Sequence, residues 1–105
     1  MEEITVEELQ QKMEFKEVFV IDVREPFEYN ISNIDGKLIP LNKLKSRLDE
    51  IEEHKESEVV VMCRTGGRSA EATKFLESKG FENVKNLKGG INEWAKKIDQ
   101  SLPVY

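Results

Sequence analysis

Val59-Val60-Val61-Met62-Cys63-Arg64-Thr65-Gly66-Gly67-Arg68-Ser69 joins four consecutive apolar residues to a loop rich in glycine and arginine. The apolar run does not alternate with polar residues, so both of its faces need cover, as in a strand of a parallel sheet packed between helices. A second run, Val18-Phe19-Val20-Ile21, has the same character and passes into Asp22-Val23-Arg24. Weaker strand signals cover Lys37 to Pro40 and Val84 to Leu87, and Ile4 is placed to start a short edge strand.

Helical signals lie between the strands. Thr5-Val6-Glu7-Glu8 is a capping box, with Leu9 and Met13 one turn apart behind it. Pro26 suits the first position of a short helix that includes Phe27 and Tyr29. Leu41, Leu44, Leu48 and Ile51 fall on one face of a predicted helix, as do Ala72, Phe75, Leu76 and Lys79 of the next. Gly80 ends that second helix, with Leu76 and Phe81 as the apolar pair of a Schellman stop. Gly89-Gly90 precedes a last helix carrying Ile91, Trp94, Ala95 and Ile98. The alternation predicts an α/β sandwich: a mostly parallel central sheet of about five strands with helices on both faces, in one domain over residues 1–105.

Of the 105 residues, 38% are hydrophobic and 35% charged, which describes a compact core under a highly charged surface rather than a disordered chain. A net charge of -5 with no basic face argues against nucleic acid and against anionic membrane as partners. No apolar run approaches the roughly 18 residues of a membrane span. The start, MEEITVEEL, has acid where a signal peptide needs base, so a cytoplasmic protein is expected. The single cysteine excludes an intramolecular disulfide and a cysteine-based zinc site.

Cys63 stands where the most apolar strand gives way to a helix, and in parallel sheets ligands bind beyond the carboxyl ends of the strands. A strand-to-helix turn presents backbone amides and the positive end of a helix dipole. Gly66 and Gly67 are free to take positive φ, which lets the loop curl into a cradle of amides. Arg64 and Arg68 add two permanent charges. Together these favour a thiolate over a thiol and suit an anionic ligand. The alternative is that Cys63 is a small core hydrophobe, but an apolar core has no use for two guanidinium groups within the next five residues.

Other candidates carry less. Gly66-Gly67-Arg68-Ser69 lacks the lysine and the earlier glycine of a phosphate-binding P-loop. His54 sits in Glu52-Glu53-His54-Lys55-Glu56 and reads as a solvated helix end. Asp22 and Arg24 end a buried strand, where charges need partners, so Asp22 is expected to anchor neighbouring loops. Trp94 reads as core.

The chain resembles the rhodanese family of sulfurtransferases over nearly its whole length. The likeness rests on Ile21-Asp22-Val23-Arg24-Glu25 with Glu28-Tyr29, then Ile34-Asp35-Gly36 leading to Ile39-Pro40, the loop Cys63 to Ser69, and Leu87-Lys88-Gly89-Gly90 with Trp94. Two departures bear on substrate access: Ser32-Asn33-Ile34 where the family usually has Gly-His-Ile, and Lys37 where Ala commonly follows the glycine. The tail Ile98-Asp99-Gln100-Ser101-Leu102-Pro103 is similar to that of rhodanese domains appended to ubiquitin-activating-like adenylyltransferases.

The resemblance implies persulfide chemistry that needs no metal or organic cofactor. Cys63 takes sulfur from a small anionic donor such as thiosulfate and passes it to cyanide, a thiol or a sulfur-acceptor protein. Arg64, Thr65, Gly66, Gly67, Arg68 and Ser69 bind the donor, with Thr65 donating a hydroxyl hydrogen bond to the sulfur. Related phosphatases use a Cys-x5-Arg loop; Cys63 to Arg68 is Cys-x4-Arg, a smaller cradle better matched to one sulfur than to a phosphoryl group. A non-catalytic sulfur-relay or regulatory module is the alternative from another class.

Overall fold

The structure is a computed structural model that describes residues 1–105. Its strands are β1 (Glu2–Ile4), β2 (Phe19–Asp22), β3 (Lys37–Leu38), β4 (Glu58–Met62) and β5 (Asn83–Leu87). The α-helices are α1 (Val6–Glu14), α2 (Pro26–Ile31), α3 (Gly67–Ser78) and α4 (Gly90–Lys97). The five strands form one sheet in the order β1-β5-β4-β2-β3, and every pair is parallel. β4 lies at the centre, in register with β2 from Phe19 against Val59 to Asp22 against Met62.

Two cores explain why the strands read as unbroken apolar runs. Val59 and Val61 face one side with Ile21, and are covered by Ala72 and Leu76 of α3. Val60 and Met62 face the other side with Val20, and are covered by Val6 and Leu9 of α1 and by Ile91 and Trp94 of α4. With a helix layer on each face, alternate side chains of one strand are both buried and neither can be polar.

The caps stop the helices as expected. Glu8 N donates to Thr5 Oγ1 at 3.1 Å, and Thr5 N donates to Glu8 Oε1 at 3.1 Å, which closes the box at the start of α1. At the end of α3, Phe81 N donates to Leu76 O at 3.2 Å and Gly80 N donates to Glu77 O at 3.2 Å. Gly80 has φ +92°, the left-handed geometry of a Schellman stop.

Residues 41–54 differ from the single helix expected. They form two 3-10 helices, Leu41–Lys43 and Lys45–His54, the second broken by the non-helical φ -117° and ψ 19° of Arg47. A 3-10 helix repeats every three residues, which aligns Leu41 with Leu44 and Leu48 with Ile51. The break at Arg47 takes up the four-residue step between the pairs, so all four leucine and isoleucine side chains still meet the core. β3 covers only Lys37–Leu38, although Ile39 N and Leu41 N still donate to Asp22 O and Val23 O at 2.9 and 3.1 Å, so the chain follows β2 past Pro40. Ile4 ends the edge strand β1 rather than starting it.

The carboxyl end of β2 holds a fully buried ion pair. Arg24 and Asp22 are both 0% exposed. Arg24 Nε and Nη2 donate to the Asp22 carboxylate at 3.0 and 2.8 Å. The rest of the guanidinium donates to Glu28 O at 3.2 Å, Ser32 O at 2.8 Å and the Tyr105 hydroxyl at 2.8 Å. Asp22 thus anchors loops as expected, acting through Arg24. Removing one member leaves the other charged and unpaired in the interior, which costs about 3–5 kcal/mol. Arg24→Ala is expected to lose that much in urea unfolding. A loss under about 1 kcal/mol would show that Asp22 finds another partner or takes up a proton cheaply.

Candidate active site

Cys63 follows Met62 directly, so the central strand delivers it to the carboxyl edge of the sheet, where it is 1% exposed. The loop then turns back over it. Gly66 N donates to Cys63 Sγ at 3.1 Å and Ser69 N donates at 3.4 Å. Ser69 Oγ lies 3.3 Å from the same sulfur. Gly66 is the N-cap of α3 and Ser69 its third residue, so the sulfur faces the amide end of a twelve-residue helix. The two amides and the helix dipole present positive potential to the sulfur, while the Ser69 hydroxyl hydrogen goes to Asn86 Oδ1.

Gly66 carries the curl. Its φ of +118° is a conformation that a side chain rarely adopts. Gly67, expected to share that role, has helical geometry as the first residue of α3, and a Cβ there would meet nothing within 4 Å. Asn86 of β5 braces the turn: its Nδ2 donates to Gly66 O at 3.2 Å, and its Oδ1 accepts from Ser69 Oγ at 2.5 Å. A second brace comes from the start of α4. Ile91 N donates to Cys63 O at 2.9 Å and Asn92 N donates to Arg64 O at 3.1 Å. The approach is so close that a Cβ on Gly90 would stand 2.4 Å from Arg64 O.

The remaining loop residues are placed unequally. Thr65 is exposed and makes no bond to Sγ; the hydroxyl beside the sulfur belongs to Ser69. Arg68 turns to Glu28, with Nη1 to Oε1 at 2.6 Å and Nη2 to Oε2 at 2.8 Å. Arg64 lies against the ring of Tyr105, its Cζ 4.9 Å from the ring centroid. The Tyr105 hydroxyl accepts from Arg24 and donates to Glu28 Oε2 at 2.9 Å. One polar chain therefore runs from Asp22 through Arg24, Tyr105 and Glu28 to Arg68.

A cavity of about 630 Å³ opens beside the loop, with Val23, Leu41, Leu44 and Phe75 as its apolar wall and Lys45 and Arg68 as its cations. Cys63 is not among its lining residues: the sulfur sits buried under its own loop, and Arg68 is the residue between Cys63 and Ser69 that lines the cavity. His54 is not a freely solvated end either. It is half-buried and stacks on Phe19 with centroids 3.7 Å apart. Phe19 opens β2, whereas Cys63 follows the end of β4, so in an all-parallel sheet His54 lies at the opposite edge. Trp94 is core, as expected. No cluster of three His, Cys, Asp or Glu side chains is arranged to hold a metal ion.

Glu28, Asn86, Asn92 and Tyr105 are the participants to which the sequence reading assigned no role. A buried Arg24 signalled that acceptors must lie nearby, and Glu28 meets it with its main-chain oxygen while its carboxylate turns to Arg68. Nothing local in the sequence marks the other three.

The Arg68 bond lowers the Glu28 carboxyl from the usual 4.5 to about 2, against the opposing effect of burial. The folded value lies below the unfolded one. Its stabilisation is therefore complete above about pH 4.5 and is lost as pH falls through about 2. The shift corresponds to about 3 kcal/mol. Arg68 is 36% exposed, so screening reduces this to about 1–2 kcal/mol. Unfolding free energy is expected to drop more steeply from about pH 5 to pH 2 in the native protein than in Glu28→Gln. Parallel curves would mean that the pair contributes nothing.

Comparison with known proteins matches this architecture. Residues 5–97 match the Rhodanese-like domain family. The chain is 38% identical over 112 residues to the Rhodanese-like/PpiC domain-containing protein 12, chloroplastic, of Arabidopsis thaliana, covering 100% of this chain and 38% of that protein. It is 35% identical over 105 residues to the adenylyltransferase and sulfurtransferase uba4 of Ogataea parapolymorpha, covering 99% of this chain and 26% of that protein. The chain thus spans well under half the length of these relatives. Among solved structures, a rhodanese-related protein from Thermoplasma volcanium superposes with a TM-score of 0.80 at 33% identity, covering 100% of this chain and 98% of that one. A parallel five-stranded sheet, a cysteine at the end of its central strand and a match over residues 5–97 agree: the chain belongs to the rhodanese-like domain family.

Proposed function

We propose that the protein is a sulfurtransferase that carries sulfane sulfur as a persulfide on Cys63, taking it from a small anionic donor such as thiosulfate. The observation that carries this reading is the convergence of Gly66 N, Ser69 N and Ser69 Oγ on one sulfur atom. In the first half-reaction the Cys63 thiolate attacks the outer sulfur of thiosulfate. A new S–S bond forms, the donor S–S bond breaks, and sulfite leaves with the electron pair. Cys63–S–S⁻ remains, and its charge lies where the loop amides and the start of α3 stabilise it electrostatically. In the second, an acceptor such as cyanide or a thiolate attacks the outer sulfur and the Cys63 thiolate leaves. A sulfur-acceptor protein fits the same step, because the sequence has no second cysteine to resolve the persulfide internally. One free thiol suits a reducing compartment, and the cytoplasm remains our reading of its location.

Phosphoryl chemistry fits less well. A phosphoryl group brings three oxygens that need donors, and Arg68, which a phosphatase would aim at them, is bound at both nitrogens to Glu28. Incubation with thiosulfate followed by intact mass measurement is expected to show a gain of one sulfur, about 32 Da, lost again on adding cyanide. Cys63→Ser is expected to abolish both the gain and thiocyanate formation, and His54→Ala to leave them nearly intact. Aryl phosphate hydrolysis is expected to be negligible beside sulfur transfer. An unloaded wild-type protein, or phosphate turnover equal to sulfur transfer, would overturn the reading.

A further inference from the structure

The charged side chains around the loop are not equivalent. Arg24 is neutralised by Asp22, and Arg68 by Glu28. Arg64 forms no ion pair. Taking Arg64 away removes the one arginine of this group that has no carboxylate partner, which weakens attraction for a dianion.

An arginine on an exposed loop is otherwise free to turn into solvent. Here a ring restrains it. Tyr105 presents its face to the guanidinium at 4.9 Å. The ring is held at both ends. Its hydroxyl bonds Arg24 and Glu28. Its main chain closes a pair of bonds with the Asn92 side chain, Tyr105 N donating to Oδ1 and Asn92 Nδ2 donating to Tyr105 O, each at 3.2 Å. Asn92 also grips the other partner, since its own N–H donates to Arg64 O at 3.1 Å. One residue at the start of α4 thus fixes ring and arginine relative to each other.

We propose that Tyr105, seated by Asn92, is a positioning residue that fixes the Arg64 guanidinium on the cysteine loop and so sets the preference for dianionic over less charged sulfur donors. This rests on the sulfur-transfer reading above, and it names the charge class of donor that the site selects. Tyr105 acts through Arg64 and touches no reacting atom. Its ring is the working part, and its hydroxyl serves to hold it.

The test compares kcat/KM for thiosulfate, a dianion, with that for methanethiosulfonate, a monoanion whose transfer releases methanesulfinate. A second readout is independent of sulfur transfer: the ratio of Cys63 alkylation rates with iodoacetate and with neutral iodoacetamide at one pH. Arg64→Ala is expected to lower both ratios about tenfold. Tyr105→Leu is expected to lower them about two- to fivefold, and Tyr105→Phe, which keeps the ring but loses the hydroxyl bonds that seat it, to lower them clearly less. Adding Tyr105→Leu to Arg64→Ala is expected to lower them no further. Native ratios in Tyr105→Leu, or equal losses in the Phe and Leu variants, would overturn the proposal. If the wild-type protein transfers no sulfur from either donor, the alkylation ratio still reads the Arg64–Tyr105 pair, so the two readings fail separately.

Discussion

The guanidinium of Arg24 is the group around which the site is assembled. A fully buried cation is tolerated only where every donor finds an acceptor, and its acceptors come from three separate parts of the chain. Asp22 belongs to the end of β2, Glu28 O and Ser32 O to the region of α2, and the Tyr105 hydroxyl to the segment after α4. Each element is held because the arginine has nowhere else to turn. Two of them then act on the cysteine loop. Glu28 grips Arg68, and Tyr105 faces Arg64. A requirement created by burial is converted in this way into the alignment of groups on the surface.

The sulfur itself depends mainly on backbone. Gly66 N and Ser69 N reach it, and Asn86 and the start of α4 keep the turn that presents them. Main-chain amides do not titrate and have no side-chain freedom to lose, so they are in place before charge develops. Arg68, in contrast, bridges to Glu28. That pairing limits its charge as a partner for an incoming ligand and gives it a share in fixing α2 against α3.

Much of this was legible in the sequence, for identifiable reasons. Val59 to Met62 has no polar residue, and a strand covered on both faces is the arrangement that permits it. Thr5 with Glu8, and Leu76 with Gly80 and Phe81, mark helix ends through short-range bonds that depend on local order alone. Leu41 to Ile51 were placed correctly against the core but in the wrong helix, because the spacing of apolar residues reports which side chains are buried and says little of a local break such as that at Arg47. The importance of Cys63 was legible from the charges and glycines beside it. The partners of Arg64 and Arg68 were not, because Tyr105 and Glu28 lie 41 and 40 positions away from them and only the folded chain brings them together. The hydroxyl assigned to Thr65 belongs to Ser69 for a similar reason: the first turn of α3 points Ser69 inward and leaves Thr65 outside.

The cavity beside the loop has a different makeup from the cradle. Leu41, Asn42, Lys45, Glu71 and Phe75 line it, and none of them bonds to Cys63 Sγ. Close to the sulfur, a Cβ at Gly90 meets backbone at 2.4 Å and Gly66 requires a positive φ, so side-chain variation there is closed off. Change is restricted around the Cys63 sulfur and open along the cavity wall. A lineage carrying this fold can therefore alter the 3-10 segment and the outer face of α3 while inheriting the cysteine loop intact.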